Sequence, residues 1–393
     1  MSQPIRVGIT HGDINGIGYE VILKSLSDET MTELCTPIIF GYHSIAEKLR
    51  RQLGMEELKL YKAASAEAAQ SGKVSVVEIG DEAPELTPGE GTPASGKAAV
   101  EALEMAVEAL RNGDIDVLVT APISKEAVQS DSFKFPGHTE FLEEAIGNGA
   151  KARMILFDDN VRVALVSTHL PVSQVAAAVT KESVHEAIKS LSDSLKQDFG
   201  FERPRIAVLS LNPHAGDGGL LGSEEREIIE PVIKEMRDGG VLAFGPFAAD
   251  GFFGLGDYRK FDGVVAMYHD QGLAPFKVLA GERGVNFTAG LPYVRTSPDH
   301  GTAFGIAWKG EADETSMREA IYKAIDIYRR RENYAIANAN PLKKYVNERP
   351  DKGERQDRFA KKDKPLKTTG PHEDSSPEAG SGDDKTNKDK EEA

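Results

Sequence analysis

Short apolar runs rich in β-branched residues recur along the chain at Arg6–Thr10, Pro37–Phe40, Val74–Ile79, Asp116–Thr120, Val161–Ser167, Arg205–Leu211 and Gly263–Met267. Several are almost continuously apolar rather than alternating, the pattern of strands covered on both faces. Between them lie stretches with apolar residues every three or four positions: Ser95–Asn112, Lys181–Phe199 and Ser223–Asp238. That spacing lays one apolar stripe along a helix. Strands and helices alternating in this way predict an α/β fold with a mainly parallel sheet. The chain's 393 residues exceed one ordinary core and fit two domains better.

The pattern stops near residue 348. Residues 348–393 are Lys, Asp, Glu, Gly, Ser, Thr and Pro, with Phe359 and Leu366 almost the only apolar side chains. Such a segment buries too little apolar surface to offset its ordering entropy, and a disordered tail is expected. From residue 349 onward, 11 basic residues face 12 acidic ones. The residues before the tail therefore carry almost all of the formal net charge of −16. No Lys/Arg cluster in the first 340 residues resembles a nucleic-acid footprint, so no nucleic-acid partner is expected. No apolar stretch approaches the roughly 18 residues of a membrane helix, and no membrane association is expected. The single cysteine, Cys35, closes no intrachain disulfide. With no leader-like apolar run at the start, these features predict a cytoplasmic protein.

The chemistry gathers just beyond the strands. VRVALVST runs into His169, RIAVLSLNP into His214, and DGVVAMY into His269 and Asp270. Ligands in open parallel sheets bind outside the carboxyl ends of the strands. One such histidine is a loop residue until shown otherwise, but three at equivalent places form a constellation. Imidazoles suit zinc, cobalt and related divalent ions, and three protein ligands leave a coordination position for substrate. His214 sits in LNPHAGDGGLLGSEE, a glycine-rich turn that enters a helix with Ser223 in position to cap it. Lys277 follows His269 in YHDQGLAPFKVL and has the chemistry to meet a phosphate or carboxylate.

Two glycine patterns are decoys. THGDINGIGYE after the first strand has the spacing G-x-x-x-G-x-G, not the dinucleotide fingerprint G-x-G-x-x-G. GTPASGKA at Gly91–Ala98 matches G-x-x-x-x-G-K but carries Ala98 where a phosphate loop needs Ser or Thr, and no strand precedes it. Two further segments hold polar residues among Gly and Pro. FPGHTEFLEEA carries His138 and Thr139, and GVNFTAGLPYVRTSPDHGTAFG carries Asn286, Arg295, Asp299 and His300. Arg295 offers a natural fork for a carboxylate or phosphate.

Taken in order, GDINGIGYE, TAPISKEAV, FPGHTEFLEE, STHLPV, LNPHAGDGGLLGSEE, AMYHDQGLAPFKVL and GVNFTAGLPYVRTSPDHGTA resemble the 4-hydroxythreonine-4-phosphate dehydrogenase family of pyridoxal phosphate biosynthesis. The resemblance covers residues 4–340 and omits the tail. It implies two α/β/α domains flanking a cleft, like isocitrate and isopropylmalate dehydrogenases and unlike a Rossmann fold. Residues 1–135 with 296–347 would form one domain. Residues 136–295 would form the other, with the metal and dimer contacts. It also implies a homodimer whose active site lies at the interface.

By the same resemblance, His169 and His214 fall on metal ligands, with His269 contributed across the dimer interface. His138, Thr139, Lys277, Asn286 and Arg295 fall on substrate-binding positions. Asp250 and Asp270 fall on the cleft aspartates, and the proton acceptor is one of Asp250, Asp270 or neutral Lys277. The implied cofactors are NAD or NADP and one divalent ion per site, such as zinc, magnesium or cobalt. The implied substrate is a small phosphorylated one, 4-phosphooxy-L-threonine, oxidised to 2-amino-3-oxo-4-phosphooxybutanoate, which decarboxylates to 3-amino-2-oxopropyl phosphate.

Three positions depart from the family pattern: His11, Ile14 in place of Pro, and Gly251 in place of Thr. The last keeps open a sister activity on 4-phospho-D-threonate or 4-phospho-D-erythronate. A metal-dependent hydrolase leaves the glycine-rich elements unexplained. A non-catalytic metal- or ligand-binding protein is the remote alternative, and the presence of all three histidines together with Asp250 and Asp270 argues against it.

Overall fold

Among the described residues, twelve strands form one sheet in the order β3-β4-β2-β1-β5-β12-β11-β6-β7-β10-β8-β9. In chain order they are β1 (Ile5–Thr10), β2 (Cys35–Gly41), β3 (Leu60–Ala63), β4 (Val74–Glu78), β5 (Val117–Thr120) and β6 (Arg153–Phe157). They continue with β7 (Arg162–Leu165), β8 (Arg205–Leu209), β9 (Leu242–Phe247), β10 (Gly263–Ala266), β11 (Val285–Ala289) and β12 (Val294–Pro298). The computed structural model describes residues 4–131 and 133–342, so the tail expected over 348–393 lies outside the described residues.

Pairing is parallel from β3 through β12 and again from β7 through β9. Between the two groups, β11 runs antiparallel to β12 and to β6, and β6 antiparallel to β7. Three reversals make the two parallel groups run in opposite directions. The seven expected strands all form, and β2 is buried at every position, as its unbroken apolar run requires. The fold is α/β and mainly parallel. The antiparallel seam is the part that the apolar pattern did not foretell.

The helices follow their apolar stripes. Helix Pro93–Asn112 opens on a reciprocal cap, in which Ser95 N–H donates to Thr92 Oγ1 and Thr92 N–H donates to Ser95 Oγ. This is the phosphate-loop decoy, and its Gly96 has a packing reason. A Cβ there would sit 1.9 Å from the carbonyl oxygen of Ala127. Helix Lys181–Gln197 opens with the same cap from Thr180 and Ser183.

The third expected helix differs at its start. It begins as a wide turn at Glu225–Ile229 before becoming α-helical over Glu230–Asp238, and no side chain caps it. Ser223 is not the cap, because the carboxylates that follow it turn back to the preceding loop instead. Among the described residues, no helix is long and apolar enough to cross a membrane.

Candidate active site

A cavity of about 240 Å³ lies over the strands where the sheet reverses. Thr120 at the end of β5, Arg295 and Ser297 on β12, Asn286 on β11 and Met154 on β6 line it. Helix His138–Ile146 aims its first residues, His138 and Thr139, into the same space. Four of the five expected substrate-binding residues therefore share one wall system, with His169 beside them.

Arg295 sets the electrostatics. It is 2 % exposed and has no ion pair among the described residues. Nε and Nη2 donate to Thr120 Oγ1, and Nη1 donates to Thr288 Oγ1 at 3.0 Å. Burial pushes its pKa down to about 9, with only Glu140 opposing. Burial, then Arg295 and Lys125, hold His138 well below the usual histidine value, so it is neutral at pH 7. Among the described residues, three buried polar atoms in this wall have no hydrogen-bond partner: His138 Nε2, Asn286 Oδ1 and His300 Nε2. A buried cation without an anion, beside polar atoms without partners, is a site built for a ligand.

The three strand-end histidines occupy one edge. β7, β10 and β8 are parallel neighbours in that spatial order, so His269 stands between His169 and His214. The His169 and His269 rings are 6.0 Å apart and share a cleft of about 250 Å³. Asp270 Oδ1 lies 2.7 Å from His269 Nδ1, which fixes that ring and leaves Nε2 as its free nitrogen. Burial, then Lys125, lowers the His169 pKa and favours the neutral, ligating form. His214 lines a different cleft of about 570 Å³ with Asp250. Among the described residues, no group of three or more His, Cys, Asp or Glu stands close enough to hold a metal ion. The chemistry of the three imidazoles suits a divalent ion, but one chain brings only two of them together.

His214 is held in an unusual backbone. His214, Ala215, Gly216, Asp217 and Gly218 all have φ between 42° and 76°. Left-handed backbone costs roughly 1–2 kcal/mol for each non-glycine residue, so the turn must be restrained from outside. Glu225 supplies the restraint. Its Oε1 accepts from Leu211 N–H and Asn212 N–H at 2.8 and 2.7 Å, and its Oε2 accepts from Asn212 Nδ2. A Cβ on Gly216 would meet that Oε2 at 2.7 Å, so both φ and space require glycine there.

Lys277, the fifth expected substrate residue, is outside the cavity lining. Its Nζ donates to Asp299 Oδ2 at 3.0 Å and to the Asp299 carbonyl at 2.9 Å. It adjoins the cavity through Asp299, whose next residue in the chain, His300, lines it. Spacing alone missed Lys125, which lines the cavity together with His300. Lys125 lies five residues past the end of β5, a signal visible once that loop is recognised as a strand end.

The fold is that of an α/β protein whose cavity gathers a buried arginine with polar side chains, and whose strand-end histidines lie along one edge of the sheet. The sequence profile described as pyridoxal phosphate biosynthetic protein PdxA matches residues 33–324, and the chain belongs to that family. It is 55% identical over 351 residues to a 4-hydroxythreonine-4-phosphate dehydrogenase of Bacteroides thetaiotaomicron, covering 89% of this chain and 96% of that protein. It is 41% identical to a D-threonate 4-phosphate dehydrogenase of Cupriavidus necator, over 83% of this chain and 98% of the relative. A crystal structure of 4-hydroxythreonine-4-phosphate dehydrogenase from Klebsiella pneumoniae superposes with a TM-score of 0.72 at 34% identity, covering 84% of this chain and 98% of that one.

Proposed function

We propose that this chain oxidises 4-phosphooxy-L-threonine at its C3 hydroxyl, with NAD or NADP accepting the hydride. The product, 2-amino-3-oxo-4-phosphooxybutanoate, decarboxylates to 3-amino-2-oxopropyl phosphate in pyridoxal 5'-phosphate biosynthesis. The observation that carries the reading is Arg295, a buried guanidinium with hydroxyl partners only, facing a cavity sized for a small phosphorylated molecule. The kinship with 4-hydroxythreonine-4-phosphate dehydrogenases supports the chemistry.

In this reading Arg295 and Lys125 hold the phosphate. His138, Thr139 and Asn286 orient the rest of the substrate, and Lys277 closes on it from the Asp299 side. The reacting hydroxyl's proton goes to Asp250, Asp270 or Lys277. His169, His214 and His269 would hold one zinc, magnesium or cobalt ion per site, which when bound lowers the hydroxyl's pKa and polarises the product ketone. In this reading the set is completed across a homodimer interface, with His269 of the second protomer joining His169 and His214, although within one chain His269 also lies beside His169.

Exposed apolar side chains support such a homodimer. Leu170 and Val172 follow His169, Leu220 and Leu221 follow His214, Leu255 follows the Asp250 helix, and Val278 and Leu279 lie on the helix that His269 opens. Apolar surface placed beside each ligand suits a subunit interface. We assign residues 1–135 with 296–347 and residues 136–295 to the two domains of the family, and the cytoplasm as the compartment.

The alternative substrate, 4-phospho-D-threonate, is kept open by a relative of that activity at 41% identity. A paired assay decides. Metal-stripped protein is refilled with one divalent ion, given NAD, and offered either substrate while NADH is followed. Faster metal-dependent turnover of the amino acid is the expected result. Faster turnover of the sugar acid moves the enzyme to the sister activity, and no turnover of either refutes both.

A further inference from the structure

His300 belongs to a motif singled out in the sequence but given no role in the reaction. It lines the cavity, and its Nδ1 lies 3.1 Å from the Gly301 carbonyl oxygen. A carbonyl only accepts, so Nδ1 carries the proton. In the neutral ring Nε2 must then be an acceptor. Burial lowers the His300 pKa, which keeps the ring neutral near pH 7. Nε2 is buried and has no partner among the described residues. Asn286 Oδ1, a second acceptor in the same wall, is likewise unpartnered.

A phosphate cannot satisfy these two atoms, because it is itself an acceptor in its dianionic form. Arg295 and Lys125 suit the phosphate, and the acceptors suit a donor elsewhere on the same molecule. We propose that His300 is a substrate-contacting, specificity-determining residue whose Nε2 accepts a hydrogen bond from an ammonium or hydroxyl group of the bound phosphorylated substrate. The inference rests on the substrate reading given above and adds a recognition element to it. The cavity then selects twice, for an anion through Arg295 and Lys125 and for a donor through His300 and Asn286. A simple alkyl phosphate satisfies only the first.

The test compares two ligands on the full chain by calorimetry: 4-phosphooxy-L-threonine, and n-propyl phosphate, which keeps the phosphate and lacks the donors. His300→Leu should weaken the first roughly tenfold or more, since a buried acceptor contact to a charged or hydroxyl donor is lost. It should change n-propyl phosphate binding less than about twofold. His300→Gln, which keeps an acceptor oxygen, should restore most of the loss. Equal weakening of both ligands, or no weakening, overturns the proposal while leaving the cavity reading intact. Failure of the wild-type chain to bind either ligand overturns both.

Should His300→Leu not fold, histidine-selective ¹⁵N labelling of the wild-type chain gives the same decision. The Nε2 resonance should be of the unprotonated type. It should shift on adding 4-phosphooxy-L-threonine and stay in place on adding n-propyl phosphate. A shift with both ligands, or with neither, overturns the proposal.

Discussion

Replacing Arg295 with methionine should make the ligand-free protein more stable and unable to use its substrate. Burial lowers the guanidinium pKa from 12.5 to about 9. At pH 7 the group is charged in both folded and unfolded chains, so the full shift opposes folding at every pH below about 9. At 1.36 kcal/mol per pH unit this is roughly 5 kcal/mol. Methionine fills similar volume without the charge. It leaves Thr120 and Thr288 without their donors, at about 1 kcal/mol each, for a net gain of roughly 3 kcal/mol. Urea unfolding at pH 7, followed by circular dichroism, measures this directly. With 4-phosphooxy-L-threonine at about 100 times its Kd, the wild type should gain roughly 2.7 kcal/mol and the variant nothing. A variant that is less stable without ligand, yet stabilised by the substrate like the wild type, would refute the claim that Arg295 is held unpaired for an anion.

Three further outcomes follow from neighbouring features. His11 is fully buried and stacked on Tyr19, and among the described residues neither ring nitrogen has a well-formed hydrogen bond. Burial lowers its pKa to about 4, so the stability it permits is complete above pH 6.5 and is lost as pH falls toward 4. His11→Phe should flatten that loss by roughly 3 kcal/mol in pH-dependent unfolding, and an unchanged slope would count against the assignment. Glu225→Ala should free the left-handed turn and weaken binding of a divalent ion, read by chelator competition, by roughly 10–100-fold, with Glu225→Gln in between. A Cβ on Gly251 would meet nothing within 4 Å, so Gly251→Thr should change stability by less than about 1 kcal/mol. It should also leave the preference between the amino-acid and sugar-acid substrates within about threefold, and a larger swing would show that a hydroxyl there reads the substrate.

The sequence disclosed the parts of the molecule in which apolar pattern and structure coincide. The strands that precede His169, His214 and His269 are apolar after their first residue, so both their existence and the position of the histidines were legible. The seam was not. β11 is VNFTA and β12 is VRTSP, and no search for apolar runs finds them. Asn286, Thr288 and Arg295 break the pattern because they face a ligand cavity or hold its arginine, as functional positions commonly do. Spatial order was also hidden. The chain visits β7, β8 and β10, but the sheet places β10 between the other two, and that insertion pairs His169 with His269. The left-handed turn at His214 needed Glu225, eleven residues away, and spacing within LNPHAGDGG could not announce it.

A chain with a formal charge of −16 that must admit a phosphorylated substrate raises a question of range. At physiological ionic strength the Debye length is about 8 Å, so most surface carboxylates contribute little at the cavity. Inside it the balance is local. Arg295 is desolvated and unpaired, Lys125 lies in the same wall, and Glu140 is the acidic residue lining it. The desolvation that makes Arg295 costly to the empty protein is what an incoming anion relieves, since a buried ion pair is stronger than an exposed one. Neutral His138 adds no second buried cation, and neutral His300 adds none beside it. The site therefore concentrates one unpaid charge at one point, and the polar atoms around it supply the hydrogen-bond pattern that separates one phosphorylated small molecule from another.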